Sequence, residues 1–154
     1  MAVKGTYTYH WPRPMVTVDI ALLKPDEQSP NPCILLIKRA NPPYKGFWAL
    51  PGGFIEMEEE LEQAAKRELK EETSLSGVSL QQLHTFGTCG RDPRGRQITI
   101  VYWGIFETSS NHPVAGDDAA EAKWHNSTQL PEKLAFDHLE IIQMALKKYL
   151  QQQP

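Results

Sequence analysis

Glu68, Glu71 and Glu72 stand three and four positions apart in a stretch, residues 58–73, that holds no glycine or proline. On a helix that spacing brings side chains onto one face, where like charges repel and call for a cation. Hard carboxylate oxygens at this density suit Mg2+ or Mn2+. Mg2+ is usually held by one or two carboxylates, with water and substrate phosphates completing its shell. The chemistry indicated is metal-assisted work on a phosphate-bearing substrate. An ordinary solvated acidic face has the same spacing, so spacing by itself leaves both readings open. The charge is concentrated here: Glu56, Glu58, Glu59, Glu60, Glu62, Glu68, Glu71 and Glu72 oppose Lys66, Arg67 and Lys70, a net −5. The whole chain carries −3, which leaves +2 for the remainder.

The elements that must hold these carboxylates follow from periodicity. Residues 15–23 are rich in β-branched side chains and read as a strand; residues 33–39 read as a buried one, paired with it across a proline-rich connection. Residues 46–53 are broken by Gly46, Pro51, Gly52 and Gly53 and form a shaped loop. Leu61, Ala64, Ala65 and Leu69 give residues 58–73 one apolar helical face. Residues 78–86 and 98–106 are strands joined through Arg91-Asp92-Pro93-Arg94-Gly95, a type I turn signature, as a second hairpin. A polar stretch, 108–122, precedes a short strand at 123–125. Leu139, Ile142, Leu146 and Tyr149 define a last helix over 134–150. The fold class expected is α/β, a sandwich of helices about a mixed, partly antiparallel sheet.

At 154 residues the chain is expected to be one domain, with residues 1–14 an arm and 151–154 a frayed tail. Its 40% hydrophobic and 23% charged residues exclude collagen-like, disulfide-scaffold and wholly disordered classes. A charge of −3 has the wrong sign for a protein living on phosphate-backbone attraction, so no nucleic-acid partner is expected. No segment is apolar for long enough to span a membrane, and Cys33 and Cys89 match neither a metal pattern nor a disulfide framework. A cytoplasmic protein with reduced thiols is expected.

The run Gly53-x5-Glu59-x7-Arg67-Glu68-Leu69-x-Glu71-Glu72-x-Ser74-Leu75, preceded by Trp48-Ala49-Leu50-Pro51-Gly52, resembles the Nudix box. That box reads Gly-x5-Glu-x7-Arg-Glu-U-x-Glu-Glu-x-Gly-U, with U a bulky aliphatic, and every defined position matches except Ser74. The resemblance implies a loop–helix–loop metal and pyrophosphate site. Glu68, Glu71 and Glu72 would be its cation ligands, the Gly53 carbonyl a further ligand, and Glu59 with Arg67 its orienting pair. Eight residues is about two helical turns, so that pair can touch only if Glu59 folds back from the helix start. Ser74 stands where the box glycine would end the helix, at a cost of roughly 1 kcal/mol if the position is left-handed; alternatively Gly77 supplies the stop.

The resemblance further implies hydrolysis of a nucleoside diphosphate linked to another moiety, with Mg2+, or Mn2+ in its place, as cofactor. The base activating the water would be Glu68 or an acid on a distant loop: Asp117, Asp118 or, favoured, Glu121 just before the strand at Trp124. Gly90 to Arg96, Leu134 to His138 and Val16-Thr17-Val18-Asp19 resemble the ADP-ribose pyrophosphatase branch, some of whose members are fused to a nucleotidyltransferase or a winged DNA-binding domain. Arg91, Arg94 and Arg96 offer bidentate forks for phosphate, and Arg39 and Trp48 are further candidate substrate contacts. A plain turn accounts equally for that arginine loop. Phe47, Trp48, Tyr102 and Trp103 are stacking candidates or core residues, and His10 and His138 are more safely read as structural.

ADP-ribose cleavage to AMP and ribose 5-phosphate is the leading expectation. The others are a nucleoside triphosphate pyrophosphohydrolase and a non-catalytic ADP-ribose sensor. The carboxylate cluster and the mere four residues after Leu150 argue against a sensor. The partner expected is a small nucleotide, with a homodimer compatible because dimers are common in this branch.

Overall fold

The computed structural model describes residues 5–107, 111–116 and 118–154. In chain order its elements are β1 (Met15–Asp26), β2 (Ser29–Arg39), β3 (Trp48–Ala49), β4 (Gly52–Phe54), α1 (Leu61–Thr73), β5 (Gln81–Phe86), β6 (Gln97–Ile105), β7 (Ala119–Asn126) and α2 (His138–Gln151). The sheet runs β3-β2-β1-β6-β5, with β4 added to β1 and β7 to β2. β1 and β2 are antiparallel, as are β5 and β6, whereas β1 and β6 run parallel from Met15↔Gln97 to Leu23↔Ile105. The sheet is therefore mixed, as expected.

Period-2 alternation sends successive β1 residues to opposite faces. Val18, Ile20 and Leu22 meet Ala64, Ala65 and Leu69 of α1 on one side. Ala21 and Leu23, with Val101 and Trp103 of β6, meet Ile141, Ile142, Ala145 and Tyr149 of α2 on the other. Each of the large side chains buried there stabilises by about 1.5–3 kcal/mol.

Several boundaries depart from the sequence reading. Pro25, Pro30 and Pro32 lie inside β1 and β2, leaving only Glu27-Gln28 as the connection. Pro25 sits where the hairpin register slips, a place that tolerates a residue without an N–H. The shaped loop contains two short strands, β3 and β4, held by β2 and β1. β7 extends well beyond 123–125 because β2 supplies a ladder from Cys33↔Asn126 to Arg39↔Ala119. Residues 108–110 and 117 of the polar stretch lie outside the described residues. α2 starts at His138, after Phe136 at φ 52° and Asp137 at the N-cap interrupt the helical backbone. That start turns Leu139 outward, 46% exposed, while Ile141 and Ala145 take the inner face. α2 also includes Gln151, the first residue of the expected tail.

α1 ends at Thr73, and Ser74 takes the left-handed conformation, φ 62° and ψ 5°, with its N–H donating to the Lys70 carbonyl at 2.9 Å. Its hydroxyl reaches the Val114 carbonyl at 3.3 Å. Gly77, φ 73°, makes a separate turn beyond the helix. Ser74→Gly removes the Cβ strain and is expected to stabilise by about 1 kcal/mol, read as a higher urea midpoint at unchanged slope.

Candidate active site

Because α1 begins only at Leu61, Glu59 precedes it and folds back along it. Both carboxylate oxygens of Glu59 accept from Arg67, Nε at 2.7 Å and Nη2 at 3.0 Å, and Oε2 also accepts the Glu56 N–H at 3.1 Å. Arg67 Nη2 reaches the Phe54 carbonyl at 3.1 Å, and Nη1 spans Glu68 Oε1 at 2.6 Å and Glu71 Oε2 at 3.2 Å. One guanidinium thus ties the helix start, β4 and two box carboxylates together. The Arg67 hydrogen bond holds Glu59 below the usual carboxylate range.

β4 brings the backbone to these acids. A Cβ on Gly53 would stand 2.6 Å from the Glu68 carboxylate, and one on Gly52 would stand 2.2 Å from the Val18 carbonyl and 2.5 Å from Asp19 Oδ1. At Gly52 the clash is with backbone and a side chain has no room, whereas at Gly53 a side chain would push the Glu68 carboxylate aside, so glycine at both positions lets carboxylates from both sides of the sheet approach here. The Gly52 N–H donates to Glu72 Oε2 at 3.0 Å. Burial pushes Glu72 up to about 8 and raises Glu68 despite its contact with Arg67.

The carboxylates open into a cavity of about 570 Å³, large enough for a nucleotide-sized ligand. Its wall includes Glu68, Glu71 and Glu72 together with Arg39, Arg91 and Arg94. Acidic and basic groups thus face one space. Its floor is the α2 side of the β1–β6 pair, which turns from apolar at Ala21 and Val101 to polar at Asp19, Thr99, Thr17 and Gln97. Thr99 Oγ1 donates to Asp19 Oδ2 at 2.6 Å. His138 Nδ1 accepts the Leu50 N–H at 2.9 Å, which puts the ring proton on Nε2, 3.6 Å from Asp19 Oδ1. Burial lowers the His138 pKa, so the ring serves as a neutral strut.

The arginines divide. Arg91 forks onto Asp137, Nε at 2.8 Å and Nη2 at 2.6 Å, clasping the β5–β6 loop to the start of α2. Arg94 pairs with Asp92 at 2.8 and 3.1 Å and lies over Phe54 and Phe136, 5.2 and 5.5 Å from the ring centres. Arg39 Nε donates to the Pro43 carbonyl at 2.7 Å, and burial, followed by the nearby Arg94, lowers its pKa. These three line the cavity. Arg96 does not: its Nη1 bonds the Gly87 carbonyl instead. Trp48 is also away from the cavity, edge-on to His125 with ring centres 4.4 Å apart.

Glu121 requires the same correction. The β2–β7 register sets it opposite Lys38, and its carboxylate sits 3.1 Å from Lys38 Nζ and 3.2 Å from Lys123 Nζ, outside the cavity wall. Asp118 lines the wall instead, accepting from Asn41 Nδ2 at 2.9 Å. Asp117 lies outside the described residues. Sequence reasoning gave Asp19 only as part of the Val16 to Asp19 resemblance, with no site role, and passed over Gln97; a further signal was the polar residues at alternate positions, Thr17 and Asp19 on β1 and Gln97 and Thr99 on β6.

Carboxylate oxygens and the Gly53 carbonyl form a donor set suited to a hard divalent cation. Among the described residues, no three His, Cys, Asp or Glu side chains already converge on one point. Arg67 Nη1 holds Glu68 and Glu71 in their place, so those two acids carry the adjustment that cation binding requires.

A family model described as the NUDIX domain matches residues 13–145. An ADP-ribose pyrophosphatase of Methanocaldococcus jannaschii is 46% identical over 129 residues, covering 84% of this chain and 71% of that protein. The ADPR responsive transcriptional repressor NtrR of Acinetobacter baylyi is 35% identical over 141 residues, covering 90% of this chain and 55% of the repressor. The solved NUDIX domain of Shewanella oneidensis NrtR, complexed with ADP ribose, superposes with a TM-score of 0.80 at 33% identity, covering 90% of each chain. Since the matched span takes in β1 to β7, the glycine gap of β4 and the Glu59–Arg67 clasp, the chain belongs to the Nudix family of hydrolases.

Proposed function

We propose that this chain hydrolyses the pyrophosphate bond of ADP-ribose, giving AMP and ribose 5-phosphate, with Mg2+ held by Glu68, Glu71, Glu72 and the Gly53 carbonyl. The observation that carries this reading is the single cavity wall on which buried carboxylates oppose Arg39, Arg91 and Arg94. Hydrolases of this family use a divalent cation; when bound, it neutralises charge on the diphosphate and its leaving oxygen. The chain's own groups do the rest. Arg67 and Glu59 fix the carboxylates, Arg39 and Arg94 bind and orient the substrate, and Arg91 fixes the loop that carries Arg94. Glu68, whose carboxylate lines the cavity, takes the proton of the attacking water. The similarity to an ADP-ribose pyrophosphatase and to an ADP-ribose-bound domain supports this substrate.

Product analysis tests the proposal. With Mg2+, AMP and ribose 5-phosphate are expected to form faster from ADP-ribose than any product forms from nucleoside triphosphates. Faster release of pyrophosphate from a triphosphate would replace the substrate assignment. Tight ADP-ribose binding without turnover would favour a sensor, the role named for the repressor relative.

A proton accompanies cation binding. Glu72, pushed up to about 8, is largely protonated at pH 7, and a ligand carboxylate must be ionised. Its raised folded pKa favours the folded state below about 4.5, the ordinary carboxyl value, and that contribution is lost as pH rises through about 8. Mg2+ binding at pH 7 is therefore expected to release a proton and to tighten towards pH 9. Calorimetry in buffers of different ionisation enthalpy reads the release directly; equal apparent enthalpies would overturn the assignment of Glu72 as a ligand.

A further inference from the structure

Gln97 opens β6 on the cavity floor, is only 2% exposed, and neither its Nε2 nor its Oε1 has a hydrogen-bond partner among the described residues. A buried amide left without partners loses its hydration with no return, at a cost that native proteins rarely tolerate without a functional reason. The cavity is where those partners must come from. Gln97 pairs in register with Met15, whereas Gly52, which holds Glu72, pairs with Asp19. Four residues of extended β1 separate the two levels, about 13 Å along the strand. Gln97 therefore faces the part of a bound nucleotide remote from the carboxylates, at a distance comparable to that between a diphosphate and its base.

Building on the proposed function, we propose that Gln97 reads the nucleobase and selects adenine. A carboxamide presents one donor and one acceptor in a plane, the complement of the 6-amino group and N7 of adenine. Guanine offers acceptors at both of those positions on its N7 side and leaves Oε1 opposed by a lone pair. Sugar hydroxyls rotate and present no fixed polarity, so they give a rigid amide less to recognise. Phe54, which pairs in register with Thr17 towards this end of β1, also lines the cavity.

The test measures binding of AMP, GMP and ribose 5-phosphate to the full chain by calorimetry, without turnover. The native chain is expected to prefer AMP over GMP by roughly tenfold or more, the discrimination of one good bidentate contact. Gln97→Met is expected to bring that ratio within threefold of unity while leaving ribose 5-phosphate binding within twofold. Gln97→Glu, close in shape, serves if the methionine variant fails to fold, and is expected to weaken AMP at least tenfold with ribose 5-phosphate unchanged. An unaltered AMP-to-GMP ratio, or a loss on ribose 5-phosphate equal to that on AMP, would overturn the assignment. Because no turnover is needed, base selection through Gln97 stands or falls separately from ADP-ribose hydrolysis.

Discussion

Replacing Glu72 by glutamine is expected to reduce kcat by about 10²- to 10³-fold, the scale seen when one preorganised electrostatic contact is removed, and to leave the fold intact. The amide has the same shape, and its oxygen can still accept the Gly52 N–H that Glu72 Oε2 accepts now at 3.0 Å. What it cannot supply is negative charge at the floor of the carboxylate wall. Stability should move the other way. Burial penalises the ionised form of Glu72, so without a cation the native chain carries a cost that builds above about pH 4.5, is complete above about pH 8, and is absent from the glutamine variant. Urea denaturation is expected to give matching midpoints for the two proteins at pH 4, and a midpoint advantage for the variant that grows as the pH is raised to 9. Near-native turnover with Mg2+ would remove Glu72 from the ligand set.

The largest loss of stability is expected from Arg67→Ala. The side chains of Arg67, Glu59 and Glu68 are 21%, 11% and 12% exposed, so the three charges are mostly withdrawn from water and compensate one another. Removing one partner of such a set leaves uncompensated buried carboxylates, an effect of about 3–5 kcal/mol. Arg67→Lys restores the charge but not the fork that bonds both oxygens of Glu59, and should recover only part of the loss. The deficit is pH-dependent with a defined sign. Glu59 is held below its ordinary value, so its contribution is present above that value and is lost as pH falls through the lower folded one. The midpoint difference between native and variant chains should therefore shrink on acidification from pH 7 to pH 3. An undiminished difference would place the contribution of Arg67 in packing.

Much of this arrangement is written in local sequence. The face of α1 is set by Leu61, Ala64, Ala65 and Leu69, and the lack of glycine and proline between them leaves the backbone one choice. Local sequence allows two stops, Ser74 and Gly77, and the Ser74 N–H on the Lys70 carbonyl decides for the strained one. What local sequence does not carry is partnership across the sheet. β3 and β4 have two and three residues, too few for any periodicity, and exist because β2 and β1 present ladder edges. Glu121 is drawn away from the cavity by Lys38, a residue 83 positions earlier that becomes its neighbour only through the β2–β7 register. Asp137 looks like an N-cap for α2, yet its carboxylate is engaged by Arg91. In each case the deciding contact is long-range.

The two glycines of β4 bear on how freely this sequence can drift. Position 77, also glycine, has open space around its missing Cβ, and its left-handed backbone suits asparagine nearly as well. Position 52 has no such latitude, since even alanine meets a backbone carbonyl, and at position 53 alanine displaces the Glu68 carboxylate that turnover needs. In a saturation library sorted for turnover, codons 52 and 53 should empty of all alternatives while codon 77 keeps several. Two adjacent invariant sites would be the genetic imprint of a gap left open for charge.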